Sequence, residues 1–343
     1  ENNNLVETVV VALDDDGNAQ KATGSVTFGG SVSSGTLNLY IGGKRVRVGI
    51  AASHTLDNIA TNTVAAINAA TGVLVDAAVN GADSKKVDLT FNHKGELGND
   101  LDIRVNYYDG EELPVGLTAT VTPMSGGTAN PEIDDIWAIL GDEHLHVITM
   151  PYQDTANLVS FETEMADRWG PMRMIEGLGV CAAKGTHSQL VTLGNGRNSP
   201  HLCIMNSADS PTPPWEWAAA TAANASYFGN IDPARPLQTL ALKGIIPPSA
   251  KDRFTLAENN LLLYDGIATH SVDAGGVVRI QRLITTYQVT AQGAEDPSYL
   301  DATTPLTLGY IRYDFRTLIL RKYPRHKLAD DGRNYGQGQA IIT

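Results

Sequence analysis

The apolar period of this chain changes once, at Gly126-Gly127-Thr128-Ala129-Asn130-Pro131, and no other feature constrains the fold as strongly. Before that stretch apolar residues mostly alternate with polar ones, the period of a half-buried strand. Leu37-Asn38-Leu39-Tyr40-Ile41 and Arg45-Val46-Arg47-Val48 flank Gly42-Gly43, which predicts a hairpin with one apolar face. Residues 87–91, 101–105 and 117–121 repeat the pattern, and an apolar run over 5–13 ends in the turn signal Asp14-Asp15-Asp16-Gly17. One helix interrupts them: Thr55 is an N-cap, Leu56, Ile59, Thr63 and Ile67 share a face, and Gly72 stops it.

After Pro131 strands and helices take turns. Residues 145–150, 177–183 and 202–205 read as strands. Leu158, Phe161, Met165 and Trp169 step by three and four residues as a helix, and residues 188–193 and 215–228 supply two more. Alternation of this kind predicts a mostly parallel sheet covered on both faces. A hairpin over 268–280 and a helix over 306–322, broken at Pro324, complete the pattern. The fold class is therefore an α/β core with a mostly parallel sheet, residues 126–343, plus an N-terminal strand-rich domain with one helix, residues 1–125. A chain of 343 residues has room for this division, at roughly 100–200 residues per domain.

Charge narrows the function. The net charge is −13, which argues against a general nucleic-acid footprint. Residues 301–343 carry seven basic and four acidic side chains, whereas the first 300 carry 18 against 34. The basic end is Arg312, Arg316, Arg321, Lys322, Arg325 and Lys327, a solvated face by default and a docking face for an acidic partner in the sharper reading. No run reaches the ~18 apolar residues of a membrane span. Cys181 and Cys203 lie in apolar strand-like runs and read as small buried hydrophobes in a reducing compartment.

Catalytic patterns are weak. Asp154, His187 and Ser188 are the residue types of a hydrolase triad, but His187 and Ser188 are adjacent and no G-x-S-x-G elbow occurs. The plain reading of these residues is a polar helix start. His144-x-His146 and His201-x-Cys203 would each share a strand face, without a second cluster at metal-ligand spacing. Gly194-Asn195-Gly196-Arg197 and Gly95-Glu96-Leu97-Gly98 read as turns, not phosphate loops. No enzyme, metal or cofactor is expected.

Longer motifs carry a resemblance. Arg235-Pro236-Leu237-Gln238-Thr239-Leu240 followed by Gly244-Ile245-Ile246-Pro247-Pro248, and Leu262-Leu263-Tyr264-Asp265-Gly266-Ile267-Ala268-Thr269, resemble the tail sheath proteins of Mu-like contractile phages. So do Lys94-Gly95-Glu96-Leu97-Gly98-Asn99-Asp100 and the closing block from Lys322-Tyr323-Pro324 to Asp330-Asp331-Gly332. The resemblance implies a subtilisin-like core without protease activity. It also implies a subunit that polymerises six-fold around a tail tube above a baseplate, assembles in the host cytoplasm and contracts to drive the tube through the host envelope. On that pattern, terminal arms and a C-terminal polymerisation domain lie outside this chain, which alone should be a monomer. The other reading is a non-sheath structural or binding module of a phage particle.

Overall fold

The computed structural model describes residues 6–325, 328–329 and 341–342. Its first elements are β1 (Lys21–Gly30), β2 (Gly35–Ile41), β3 (Lys44–Ile50), α1 (Leu56–Ala69), β4 (Val75–Val79), β5 (Lys86–Lys94), β6 (Ile103–Val105) and β7 (Leu117–Ser125). They make two antiparallel sheets, ordered β4-β5-β1-β7 and β3-β2-β6. The expected hairpin is β2–β3: Ile41 pairs with Lys44, and Gly42 and Gly43 both take positive φ, the two-residue turn that matches strand twist. The expected helix is α1. The Thr55 hydroxyl accepts from the Asn58 N–H and the Asn58 side chain reaches back to the Thr55 N–H. Ile59, Thr63 and Ile67 are buried. A short 3-10 turn, Glu96–Asp100, stands where Gly95-Glu96-Leu97-Gly98 reads as a turn.

The apolar run over residues 6–13 forms no regular element, and Val10 is 85% exposed. β1 and β4 have no counterpart in the sequence reading. β1 is written with small residues and glycine, and Gly24 is forced: a Cβ there would lie 2.7 Å from the Met124 sulfur.

The remaining elements are α2 (Asp134–Leu140), β8 (Val147–Thr149), α3 (Thr155–Trp169), β9 (Leu178–Lys184), α4 (His187–Asn195), β10 (Leu202–Ala208), α5 (Pro214–Ile231), α6 (Leu256–Tyr264), β11 (Thr269–Val272), β12 (Val278–Arg282) and α7 (Thr303–Lys322). β10, β9 and β8 form a parallel sheet in that order. Every residue of β9 from Leu178 to Ala183 is buried, and alternate residues enter different cores. Leu178, Val180 and Ala182 meet Trp217, Ala218 and Ala222 of α5. Cys181 and Ala183 meet Leu158, Phe161 and Met165 of α3 and Leu190 of α4. Gly179 is small because Phe161 lies over it: an added Cβ would sit 2.1 Å from the ring. β8 is shorter than the expected 145–150 strand, and its outer edge pairs with no strand among the described residues.

One apolar cluster draws its buried residues from 22–124, and two others draw theirs from 133–302. Trp215 bridges them, packing against the first cluster with its ring 6.0 Å from that of Phe91. Polar ties also cross. Lys184 at the end of β9 reaches Asp102 at 3.2 Å, and Arg104 of β6 pairs with Asp102 and Asp209. Gln153 donates to Asp100 at 3.1 Å.

Candidate functional site

The basic end divides in two. Arg312 and Arg316, four apart on α7, both turn inward. Arg312 donates to the Trp169 carbonyl at 2.8 Å, pairs with Glu176 at 3.1 Å and lies 4.7 Å over the Trp169 ring. Arg316 donates to the Met174 carbonyl at 3.2 Å. They pin α7 to the segment between α3 and β9 rather than spreading around one side of a helix. Arg321, Lys322 and Arg325 are exposed, with no ion pair among the described residues; the Lys322 ammonium lies 5.3 Å from the Tyr323 ring. Lys327 lies outside the described residues.

α7 carries a second feature. Ile311, Phe315 and Leu320 are 52%, 63% and 67% exposed, and Tyr310, Tyr313 and Leu318 are exposed beside them. A helix apolar on several sides is normally covered. The signal is present in Tyr310-Ile311-Arg312-Tyr313-Asp314-Phe315, but reading the charges alone passes over it.

Between α7, the C-terminal end of α5 and the segment leading into β8 lies a cleft of about 710 Å³. Glu7, Glu143, Glu176 and Asp232 line it, and among the described residues no lysine or arginine does. Tyr310 and Tyr313 form part of its wall. Glu176 is only 5% exposed; Arg312 holds its Oε1, and its Oε2 is buried without a partner. His144 and His146 also line the cleft, stacked with ring centres 4.5 Å apart, and His144 Nε2 bonds the Glu176 carbonyl at 2.9 Å. They precede β8 rather than standing on it. Burial, and then the neighbouring His144, lower the His146 pKa.

The other expected sites resolve into structural roles. Asp154 caps α3, accepting from the Asn157 backbone and from the Asn130 and Asn157 side chains. His187 Nε2 bonds the Glu258 carbonyl at 3.1 Å and the ring meets Phe254 edge-on. Ser188 is in the first turn of α4, and among the described residues no hydrogen bond joins it to His187 or His187 to Asp154. The His201 ring lies 4.7 Å from that of Trp169, tilted by 32°, while Cys203 enters the α5 side of the sheet. Burial, with Arg312 adding to it, pushes the His201 imidazole down to about 4. Both cysteines are free and buried, and burial pushes the Cys181 thiol up to about 12. No group of three or more His, Cys, Asp or Glu among the described residues is arranged to hold a metal. Gly194-Asn195-Gly196-Arg197 ends α4, and Arg197 pairs with Glu162. No helix among the described residues is long and apolar enough to cross a membrane.

Comparison with known proteins adds a family. The family model for the phage tail sheath protein central domain matches residues 126–286. The Mu-like prophage FluMu tail sheath protein of Haemophilus influenzae is 40% identical over 342 residues, which is 99% of this chain and 69% of that protein. Among solved structures, a sheath tail protein of Desulfitobacterium hafniense aligns with a TM-score of 0.44 at 12% identity, over 87% of this chain and 67% of its own. A sheath tail protein of Listeria innocua aligns with a TM-score of 0.42 at 14% identity, over 88% and 62%.

Proposed function

This chain belongs to the phage tail sheath family, on the Mu-like side of it, and we propose that it is the body of a sheath subunit that polymerises around a tail tube and contracts to drive that tube through a host envelope. The observation that carries this reading is 40% identity along essentially the whole chain to a Mu-like tail sheath protein. The subunit works by position, not catalysis. The separation of Asp154, His187 and Ser188 into capping and packing roles supports that, as does the structural role in the relative's name. The α/β part is read as a subtilisin-like plan, supported by the parallel sheet packed on both faces.

Its partners are other copies of itself, a tail tube and a baseplate, within a virion tail assembled in the host cytoplasm. Contraction is a repacking of nearly rigid subunits about their interfaces. The exposed apolar side of α7 supports a surface that is covered in the assembled sleeve, because apolar residues concentrated along one exposed helix mark an interaction site. Residues 1–125 are read as an outward domain that contributes little to polymer contacts.

A sheath protein with the full length of the Haemophilus influenzae relative, of which this chain spans 69%, should form tubular sleeves under negative stain, whereas the 343-residue chain by itself should scatter light as a monomer near 36.6 kDa. A complete protein that gives only small closed oligomers would overturn the sheath reading.

A further inference from the structure

The cleft beside α7 carries an acidic character that, Arg312 on Glu176 apart, the described residues do not offset. Four carboxylates line it and, among the described residues, no lysine or arginine does. An acidic cleft with low-dielectric walls focuses potential and draws cations to it. The Glu176 Oε2, buried and without a hydrogen-bond partner among the described residues, is the sharpest sign of a missing donor, because a buried oxygen left unbonded is destabilising. Two tyrosine rings at the wall suit a guanidinium or ammonium head, and the aliphatic stem of a long basic side chain fits the apolar remainder.

We propose that this cleft is the receptor for the basic Arg321–Arg325 stretch of a second copy of the chain. Charge complementarity names the occupant: residues 301–343 are the basic part of an otherwise acidic chain. Arg321, Lys322 and Arg325 are exposed and free of ion pairs among the described residues. The chain cannot fill its own cleft with Arg321. Arg312 sits on Glu176, and Arg321 is nine residues further along one continuous helix, about 14 Å away at 1.5 Å per residue. The contact joins unlike surfaces, so it is heterologous and passes from copy to copy, and the rotation it sets decides between a closed ring and an open helix. It is weak singly and acts through repetition. The inference rests on the sheath reading for the existence of neighbouring copies, but the contact is tested without assembly.

A fluorescent peptide with the sequence of residues 319–329 is titrated with the intact 343-residue chain and followed by anisotropy. Binding is expected. It should weaken steeply when salt rises from about 0.1 M to about 1 M, where the screening length falls from about 10 Å to about 3 Å. The Glu143→Gln/Asp232→Asn variant should bind about tenfold more weakly, a loss of about 1.4 kcal/mol. Both side chains are exposed, and Asn at 232 keeps the acceptor that Asp232 offers to the Ala234 N–H, so the fold is preserved. Glu176→Gln should also weaken binding, but it disturbs Arg312 as well, and the rim variant decides. The proposal is overturned if no binding occurs up to about millimolar peptide. It is also overturned if a peptide with every Arg and Lys replaced by Gln binds equally, if the rim variant binds unchanged, or if free arginine competes as well as the peptide. Sleeve formation by the complete protein is a separate readout. Sleeves with no peptide binding leave the sheath reading standing without this contact, and peptide binding without sleeves does the reverse.

Discussion

Asp100 shows how a single carboxyl works against the fold that holds it. Burial pushes its pKa from 3.8 up to about 6, and the opposing pull of Lys184 and the hydrogen bond from Gln153 do not offset that. The native state therefore favours the protonated acid, and the unfolded chain does not. The stability linked to Asp100 is fully present below about pH 4 and is lost as pH rises through about 6. Asp100→Asn keeps an oxygen to accept from Gln153 and removes the buried charge. It should raise the thermal midpoint at pH 7–8, by roughly 2–4 °C for each kcal/mol recovered. At pH 4 the gain should vanish. Thermal unfolding followed by circular dichroism across that pH range checks it, and a lower midpoint at pH 7 would show that the charge itself holds the joint. His201 and His270 also resist charging: burial pushes both imidazoles down to about 4. A histidine on a sequence page shows neither effect, because burial arises only when Trp169 or Trp217 closes over it.

At the scale of elements, α7 is held by few bonds. Arg312 contributes a carbonyl contact, an ion pair with a nearly buried carboxylate and a ring contact, whereas Arg316 contributes one hydrogen bond. Arg312→Ala leaves Glu176 charged and unpaired, and should cost about 2 kcal/mol, discounted from the value for a fully buried pair because the arginine is partly exposed. Arg316→Ala should cost about 1 kcal/mol or less. Urea unfolding with hydrogen exchange read over residues 303–322 distinguishes them; equal losses would mean that the pairing with Glu176 carries no weight. Elements with their own caps were legible beforehand. α1 has its Thr55 box, and β2–β3 has its paired glycines. β1 was not, because alanine, serine, threonine and glycine have little preference of their own and become a strand only between β5 and β7.

For the whole molecule, a division near residue 126 is a proposal that deletion of residues 1–125 tests. The buried residues of one cluster come from 22–124 and those of the other two from 133–302. Removing residues 1–125 should leave residues 126–343 able to unfold cooperatively, and the same deletion in the complete protein should leave sleeve assembly intact. The indole of Trp215, stripped of Phe91, should shift its emission to the red, while Trp217 keeps its contact with His270. Loss of the cooperative transition would show instead that Trp215 and the Asp102–Lys184 tie make one folding unit.

The β2–β3 hairpin, α1, the strand–helix alternation after Pro131, the change of period at Gly126 and the family were readable from residue order, because each depends on neighbours within a few positions or on long collinear motifs, whereas β1, β4 and α2 were not. The tertiary structure alone decided which charges are spent internally and which remain. Arg312 and Arg321 are alike on the page, yet Trp169 and Glu176, more than 130 residues earlier, bind the first, while the second stays in solvent. The acidic cleft was likewise invisible, since Glu7, Glu143, Glu176 and Asp232 meet only when α5, α7 and the segment before β8 pack together. Contacts at such separation depend on chain closure and burial, which no local pattern encodes.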